Sequence, residues 1–100
     1  MPLPVVFTRR AAREVEEASE WWQANRAGSP DALAVDLAAA LSLIANEPRC
    51  GVPVVGIRLD GVRRVLLARV HYHLYYRIAQ PTPRIEILAF WHQRRTDPSL

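Results

Sequence analysis

The period of the apolar positions changes halfway along the chain, from that of helices to that of strands. Ala11, Val15, Ala18 and Trp22 recur at spacings of four, three and four, which sets them on one stripe of a helix. Thr8 stands before the stripe as an N-cap, so the pattern predicts a helix from Thr8 to about Arg26. Its other surface carries Arg9, Arg10, Arg13, Glu14, Glu16, Glu17 and Glu20. With Arg10/Glu14 and Arg13/Glu17 one turn apart, this reads as a solvated, self-paired face. Gly28 is expected to close the helix, and Ser29-Pro30-Asp31 to open a second one through a cap, a preset φ and a negative charge at the N-terminus. Leu33, Leu37, Leu41 and Ile44 continue as a stripe to about Asn46, with Pro48 just beyond. So short a turn predicts an antiparallel helix hairpin, whose close approach Ala34, Ala38, Ala39, Ala40 and Ala45 permit.

After a loop from Pro48 to Pro53, Val54 to Leu59 reads as a weak strand, and Asp60-Gly61 as a tight turn into Val62–Val70. Alternation puts Val62, Arg64, Leu66, Ala68 and Val70 on one face and Arg63, Val65, Leu67 and Arg69 on the other. From His71 to Ala79, Tyr72, Leu74, Tyr76 and Ile78 oppose His71, His73, Tyr75 and Arg77. In the last strand Ile85, Ile87, Ala89 and Trp91 are expected to oppose Glu86, Leu88, Phe90 and His92. Val5 to Phe7 adds an N-terminal edge strand. The predicted fold class is α+β, an N-terminal helix hairpin packed on a small antiparallel β-sheet. One domain is expected over residues 1–100, with 93–100 as a short mobile tail.

Composition narrows what such a domain can be. One hundred residues, half of them hydrophobic and 23% charged, suit a single compact core and exclude a disordered chain. No apolar run approaches the roughly 20 residues that span a bilayer, and the N-terminus lacks a secretory pattern, so a cytoplasmic location with no membrane partner is expected. Cys50 is the only cysteine, which rules out an internal disulfide and reads as an incidental thiol. The net charge is +3 and all 13 basic residues are arginine. Guanidinium groups hold anions but do not shuttle protons at neutral pH. The stretch from Arg58 to Arg95 holds most of them against Asp60 and Glu86 alone, which suits an acidic partner or phosphates.

The most polar sheet face carries His71, His73, Tyr75 and Arg77. Arginines that hold phosphates, rings that stack on bases and a histidine near neutrality are what RNA cleavage by a 2′-hydroxyl requires. The same residue types equally present a sheet face to a protein partner. His71 and His73 with His92 or Cys50 match no metal-ligand spacing, and the glycines form no phosphate loop, so neither metal nor cofactor is expected.

Three runs carry more than composition does. Gly61-Val62-Arg63-Arg64-Val65-Leu66-Leu67, then Tyr72-His73-Leu74-Tyr75-Tyr76-Arg77-Ile78, then Ile85 to Arg95 ending in His92-Gln93-Arg94-Arg95, resemble the core of the ParE/RelE toxins of bacterial type II toxin–antitoxin systems. The segment from Ala11 to Trp22 resembles that family's first helix, and the likeness covers about residues 4–97. It implies a growth-inhibiting toxin neutralised by a cognate antitoxin whose disordered C-terminal segment folds around it.

RelE-like members cut mRNA in the ribosomal A site. On that alternative, Arg69, Arg77 and Arg94 would hold phosphate and transition-state charge, and His73 or His92 would move the proton, without a metal. Yet His73 stands where the ribonucleases have an arginine, lysine is absent, and neither an aromatic residue nor a histidine follows Arg95. The ending with Asp97-Pro98 is more similar to ParE, whose members are associated with inhibition of DNA gyrase. The favoured expectation is therefore a ParE-like toxin that acts by binding its target and not by catalysis, through Tyr75, Arg77, His92, Arg94 and Arg95. A RelE-like endoribonuclease acting on the ribosome and mRNA is second, and a non-toxic structural or DNA-associated domain on the same fold is third.

Overall fold

Thr8 starts the first helix as its residue type suggests: its side-chain oxygen accepts the Ala11 amide at 3.1 Å, and its backbone is extended. In the computed structural model, which describes residues 1–96 and 98–100, β1 (Val5–Phe7) leads into this helix, α1 (Arg9–Asn25). Asp97, part of the expected tail, lies outside the described residues. The helix ends at Arg26, whose amide reaches Trp22 O at 2.8 Å, and Gly28 lies in the following turn. The second helix, α2 (Ala32–Asn46), begins later than expected. Ser29 does not cap it, and its backbone oxygen instead accepts the indole N–H of Trp22 at 2.7 Å. Ser29-Pro30-Asp31 is thereby spent on the turn that anchors the end of α1.

Four further strands follow: β2 (Val52–Pro53), β3 (Arg63–Leu67), β4 (Tyr72–Ala79) and β5 (Arg84–His92). They form one sheet with β1 in the order β1-β5-β4-β3-β2. β2 to β5 are antiparallel, but β1 runs parallel to β5, so the sheet is mixed where a wholly antiparallel one was expected. The helix hairpin carries the chain from β1 to the far edge, and β5 returns to pair beside it.

The helices cover one face. Ala11, Ala18 and Trp22 of α1, with Leu33, Leu37 and Ile44 of α2, pack on Leu67, Leu74, Tyr76, Ile85, Ile87 and Phe90. At about 25 cal/mol per Å² of apolar surface, this layer is the main favourable contribution to folding. The opposite face carries a smaller cluster of Val62, Tyr75, Leu88 and Ala89, overlaid by Val54, Ile57, Leu59 and Leu100. The weak strand expected over Val54–Leu59 is accordingly a loop across that face, and only Val52–Pro53 pairs with β3. Gly61 supplies the positive φ, 75°, that the expected turn requires.

Two local features redirect side chains. His71 has φ of 65° in the β3–β4 turn, a conformation that histidine tolerates better than most residues, so it leaves the strand face on which alternation had put it. In β5, Tyr75 pairs with Ala89 and Tyr76 with Ile87, leaving Leu88 as an extra residue. Beyond this bulge the faces exchange. Phe90 joins Ile85 and Ile87 under the helices, while Ala89 and Trp91 turn to the opposite side. Simple alternation had assigned Phe90 to the other face.

The described residues around the chain's end make specific contacts. Trp91 donates its indole N–H to Thr96 O at 2.6 Å, Pro98 is buried, and Leu100 O accepts the Arg58 amide at 3.1 Å.

Candidate target-binding surface

The sheet face away from the helices is where the polar strand residues gather. β4 contributes His73, Tyr75 and Arg77, β3 contributes Arg64 and Leu66, and β5 contributes Glu86 and Trp91. Arg77 is held across the strands by Glu86, Nε to Oε1 at 2.9 Å, with both side chains partly exposed. Such a pair adds little stability but fixes where the guanidinium lies. Tyr75 is 1% exposed, so it supports this surface from below and offers a target nothing directly. Its hydroxyl accepts from Arg64 at 3.3 Å, and its ring meets His73 edge-on at 6.0 Å.

At the end of β5 the surface becomes basic and aromatic. The Arg95 guanidinium lies over the Trp91 ring at 3.6 Å, and that of Arg10 at 5.4 Å. Arg10 also binds Glu14 Oε2 at 3.2 Å and Ser99 O at 2.6 Å. Glu14 is no solvated residue: its other oxygen accepts the Phe90 amide at 3.0 Å. β1 pairs with β5 only from Ile85 to Ile87, so beyond the bulge the β5 edge needs another acceptor, and the α1 carboxylate supplies it. Arg10 and Trp91 were missed from the sequence. Arg10 lies 81 positions from Trp91 in sequence, and the indole's direction depends on a bulge that alternation does not reveal.

The candidate catalytic groups are not brought together. His92 pairs with Tyr72 and meets its ring edge-on at 5.2 Å, on the helix side, whereas His73 pairs with Trp91 on the opposite side. Partial burial, followed by the charges of Arg94, His71 and Arg95, holds the His92 imidazole below the usual histidine range. Its Nδ1 accepts the Arg94 amide at 3.2 Å, and the Arg94 side chain is exposed beyond the strand end. Arg69 lies in the β3–β4 turn, at the same end of the sheet as His92. Both carboxylate oxygens of Asp36 in α2 bind the arginine, at 2.7 and 3.1 Å, which raises its already high pKa. No cluster of three His, Cys, Asp or Glu side chains able to hold a metal occurs among the described residues. No described helix is long and apolar enough to cross a membrane.

A second feature lies on the other edge. Between α2 and the outer side of β3 runs a shallow groove of about 250 Å³, lined by Asp36, Ala39, Ala40, Leu43, Val65, Leu66 and Leu67. Leu43 and Leu66 are about half exposed there.

This two-helix, five-strand arrangement is a known toxin architecture. It is similar to a chain of a chromosomal ParDE toxin–antitoxin system from P. aeruginosa, with a TM-score of 0.67 and 17% identity over 90% of this chain and 95% of that one. It is also similar to a YoeB/ParE toxin from Agrobacterium tumefaciens, with a TM-score of 0.60 and 16% identity over 90% and 98%. At such identities the likeness speaks for the fold. No curated protein matches the sequence. Over residues 5–97 the chain matches the family described as ParE toxin of type II toxin-antitoxin system, parDE. The chain belongs to this family of ParE toxins.

Proposed function

We propose that the chain inhibits growth by binding DNA gyrase through the open sheet face and the Trp91 corner, and that a cognate antitoxin neutralises it. The observation that carries a binding mode is the separation of His73 and His92 onto opposite sheet faces. A proton donor and acceptor for one scissile phosphate need common access to it. Arg69, in the β3–β4 turn, is already engaged by Asp36 of α2. A tryptophan flanked by arginines is the composition of an interface hot spot. Membership of a toxin family whose systems include an antitoxin supports the second half.

The test is gyrase supercoiling with the purified chain, with and without its antitoxin, beside a ribosome programmed with mRNA. Antitoxin-reversible loss of supercoiling with intact mRNA supports the proposal. Intact supercoiling with A-site cleavage abolished by joint His73→Ala and His92→Ala substitution would establish the ribonuclease instead. A chain harmless on expression without antitoxin would point to the structural or DNA-associated alternative.

A further inference from the structure

The apolar cluster on the sheet face away from the helices, Val62, Tyr75, Leu88 and Ala89, is closed from outside by two different kinds of segment. Val54, Ile57 and Leu59 belong to the loop that continues into β3, and the bond from Val54 N to Val62 O at 2.9 Å ties that loop to the sheet. Leu100 belongs to the segment 98–100, which lies on the same face without joining the sheet. This segment is held through its main chain. The Arg10 guanidinium donates to Ser99 O at 2.6 Å and the Arg58 amide to Leu100 O at 3.1 Å, as the Trp91 indole does to Thr96 O just before. Its apolar anchors are Pro98, which is buried, and Leu100.

The loop and the segment do not meet closely. Clefts of about 350 and 250 Å³ lie between them, lined by Val55, Ile57 and Leu59 on one side and by Pro98 and Leu100 on the other. Close-packed interiors leave few voids of that size. A short segment with few buried contacts and with main-chain bonds beside solvent opens at a small fraction of a domain's global stability.

With the segment in place, the target-binding surface has a basic rim of Arg10, Arg58, Arg64, Arg77 and Arg95 but no accessible apolar centre, because Tyr75 is 1% exposed and Leu88 6%. Protein interfaces have an apolar core inside a polar rim. Lifting Leu100 from the cluster supplies the missing centre inside a rim that already exists.

We infer that residues 98–100 form a strap over the target-binding surface, and that its release uncovers the apolar centre of that surface and raises the toxin's affinity for its target. This rests on the target-binding reading above and adds a form of regulation to it. A closed population that does not bind lowers the apparent affinity by the fraction that is open. Loosening the strap therefore strengthens inhibition, whereas altering a segment that itself touches the target weakens it.

Leu100→Gly removes the apolar anchor, and Leu100→Asp replaces it with a charge that an apolar cluster rejects. The test is titrated expression of each full chain without antitoxin, at matched protein levels, beside gyrase supercoiling and amide exchange of the purified proteins. Both variants are expected to arrest growth and to inhibit supercoiling at about tenfold lower concentration than the natural chain. The Arg58 amide is expected to exchange about tenfold faster in both, with the Leu74 amide of the central strand β4 unchanged. Equal or weaker growth arrest with a faster Arg58 amide overturns the inference, since the strap then opens without effect or its end is part of the contact. An Arg58 amide that keeps its rate in both variants also overturns it, because Leu100 then holds nothing closed. If growth arrest shifts as expected while supercoiling stays intact with every chain, the gyrase reading fails and the strap stands. Three harmless chains would overturn both.

Discussion

The Glu14 carboxylate of α1 accepts the Phe90 amide of β5 at 3.0 Å while holding Arg10 with its other oxygen. One side chain thus completes a strand edge and positions a cation over Trp91. Its own exposure is only 12%, so the amide it satisfies has little access to replacement water. Glu14→Ala is expected to cost about 1–3 kcal/mol, and Glu14→Gln, which keeps an acceptor, clearly less. Urea unfolding of the three proteins checks this, and equal midpoints would show that the bond contributes nothing.

The buried Tyr76 hydroxyl donates to Pro48 O at 2.8 Å and accepts the Gly51 amide at 2.9 Å. Tyr76→Phe is expected to lose about 1–3 kcal/mol. At Gly51 an added Cβ would lie 2.6 Å from this oxygen, so Gly51→Ala is expected to cost a similar amount by overpacking. Burial, opposed by the Gly51 bond, pushes the phenol from 10.0 up to about 12. Between those values the unfolded chain releases the proton and the folded chain keeps it, so stability falls as pH rises. Denaturation across that window should show a steeper decline for the natural chain than for Tyr76→Phe.

His92 has the opposite linkage. Its folded pKa is held below 6.5 by burial and then by neighbouring positive charge. Its contribution is therefore present above 6.5 and is lost as pH falls through the folded value. An NMR titration should place its midpoint below that of an unperturbed histidine, and His92→Gln should flatten the acid limb of the stability profile. A midpoint at or above 6.5 would contradict this environment.

Arg69 and Asp36 join β3 to α2 at the surface, with the arginine side chain 58% exposed. A pair in that setting contributes no more than about 1 kcal/mol. Arg69→Met is expected to shift stability within that limit and to leave growth inhibition intact. Loss of toxicity in a folded variant would restore Arg69 to the functional set.

At the Trp91 corner, Trp91→Ala and Arg95→Glu are expected to weaken gyrase inhibition by about 30-fold or more. Antitoxin affinity is the parallel readout. Parallel supercoiling and calorimetric titrations separate the two surfaces, and loss of both together would show that they are one.

The helix stripes were legible because Ala11, Ala18, Trp22, Leu33, Leu37 and Ile44 follow the helical period and all are buried. β4 was legible because Leu74 and Tyr76 share the helix-facing side while Tyr75 lies on the other. What the sequence hid depends on distant partners. Val54–Leu59 has strand-forming residues, but the loop lies across Tyr75 and Leu88 instead of pairing. Glu14 resembles its solvated neighbours, and only the β5 edge beyond Ile87 gives it a different role. Of the expected surface residues, Arg94 and Arg95 are exposed, Arg77 is paired with Glu86, and Tyr75 is beneath the surface.

Leu88 has an evolutionary meaning as well as a geometric one. It is one unpaired residue in β5, and everything after it depends on whether the count along the strand is odd or even. Removing a single codon there would restore plain alternation, turn the indole of Trp91 inward and carry His92 onto the face that holds His73. Between a cation-flanked tryptophan and two histidines on one sheet face, the genetic distance in this scaffold is three nucleotides.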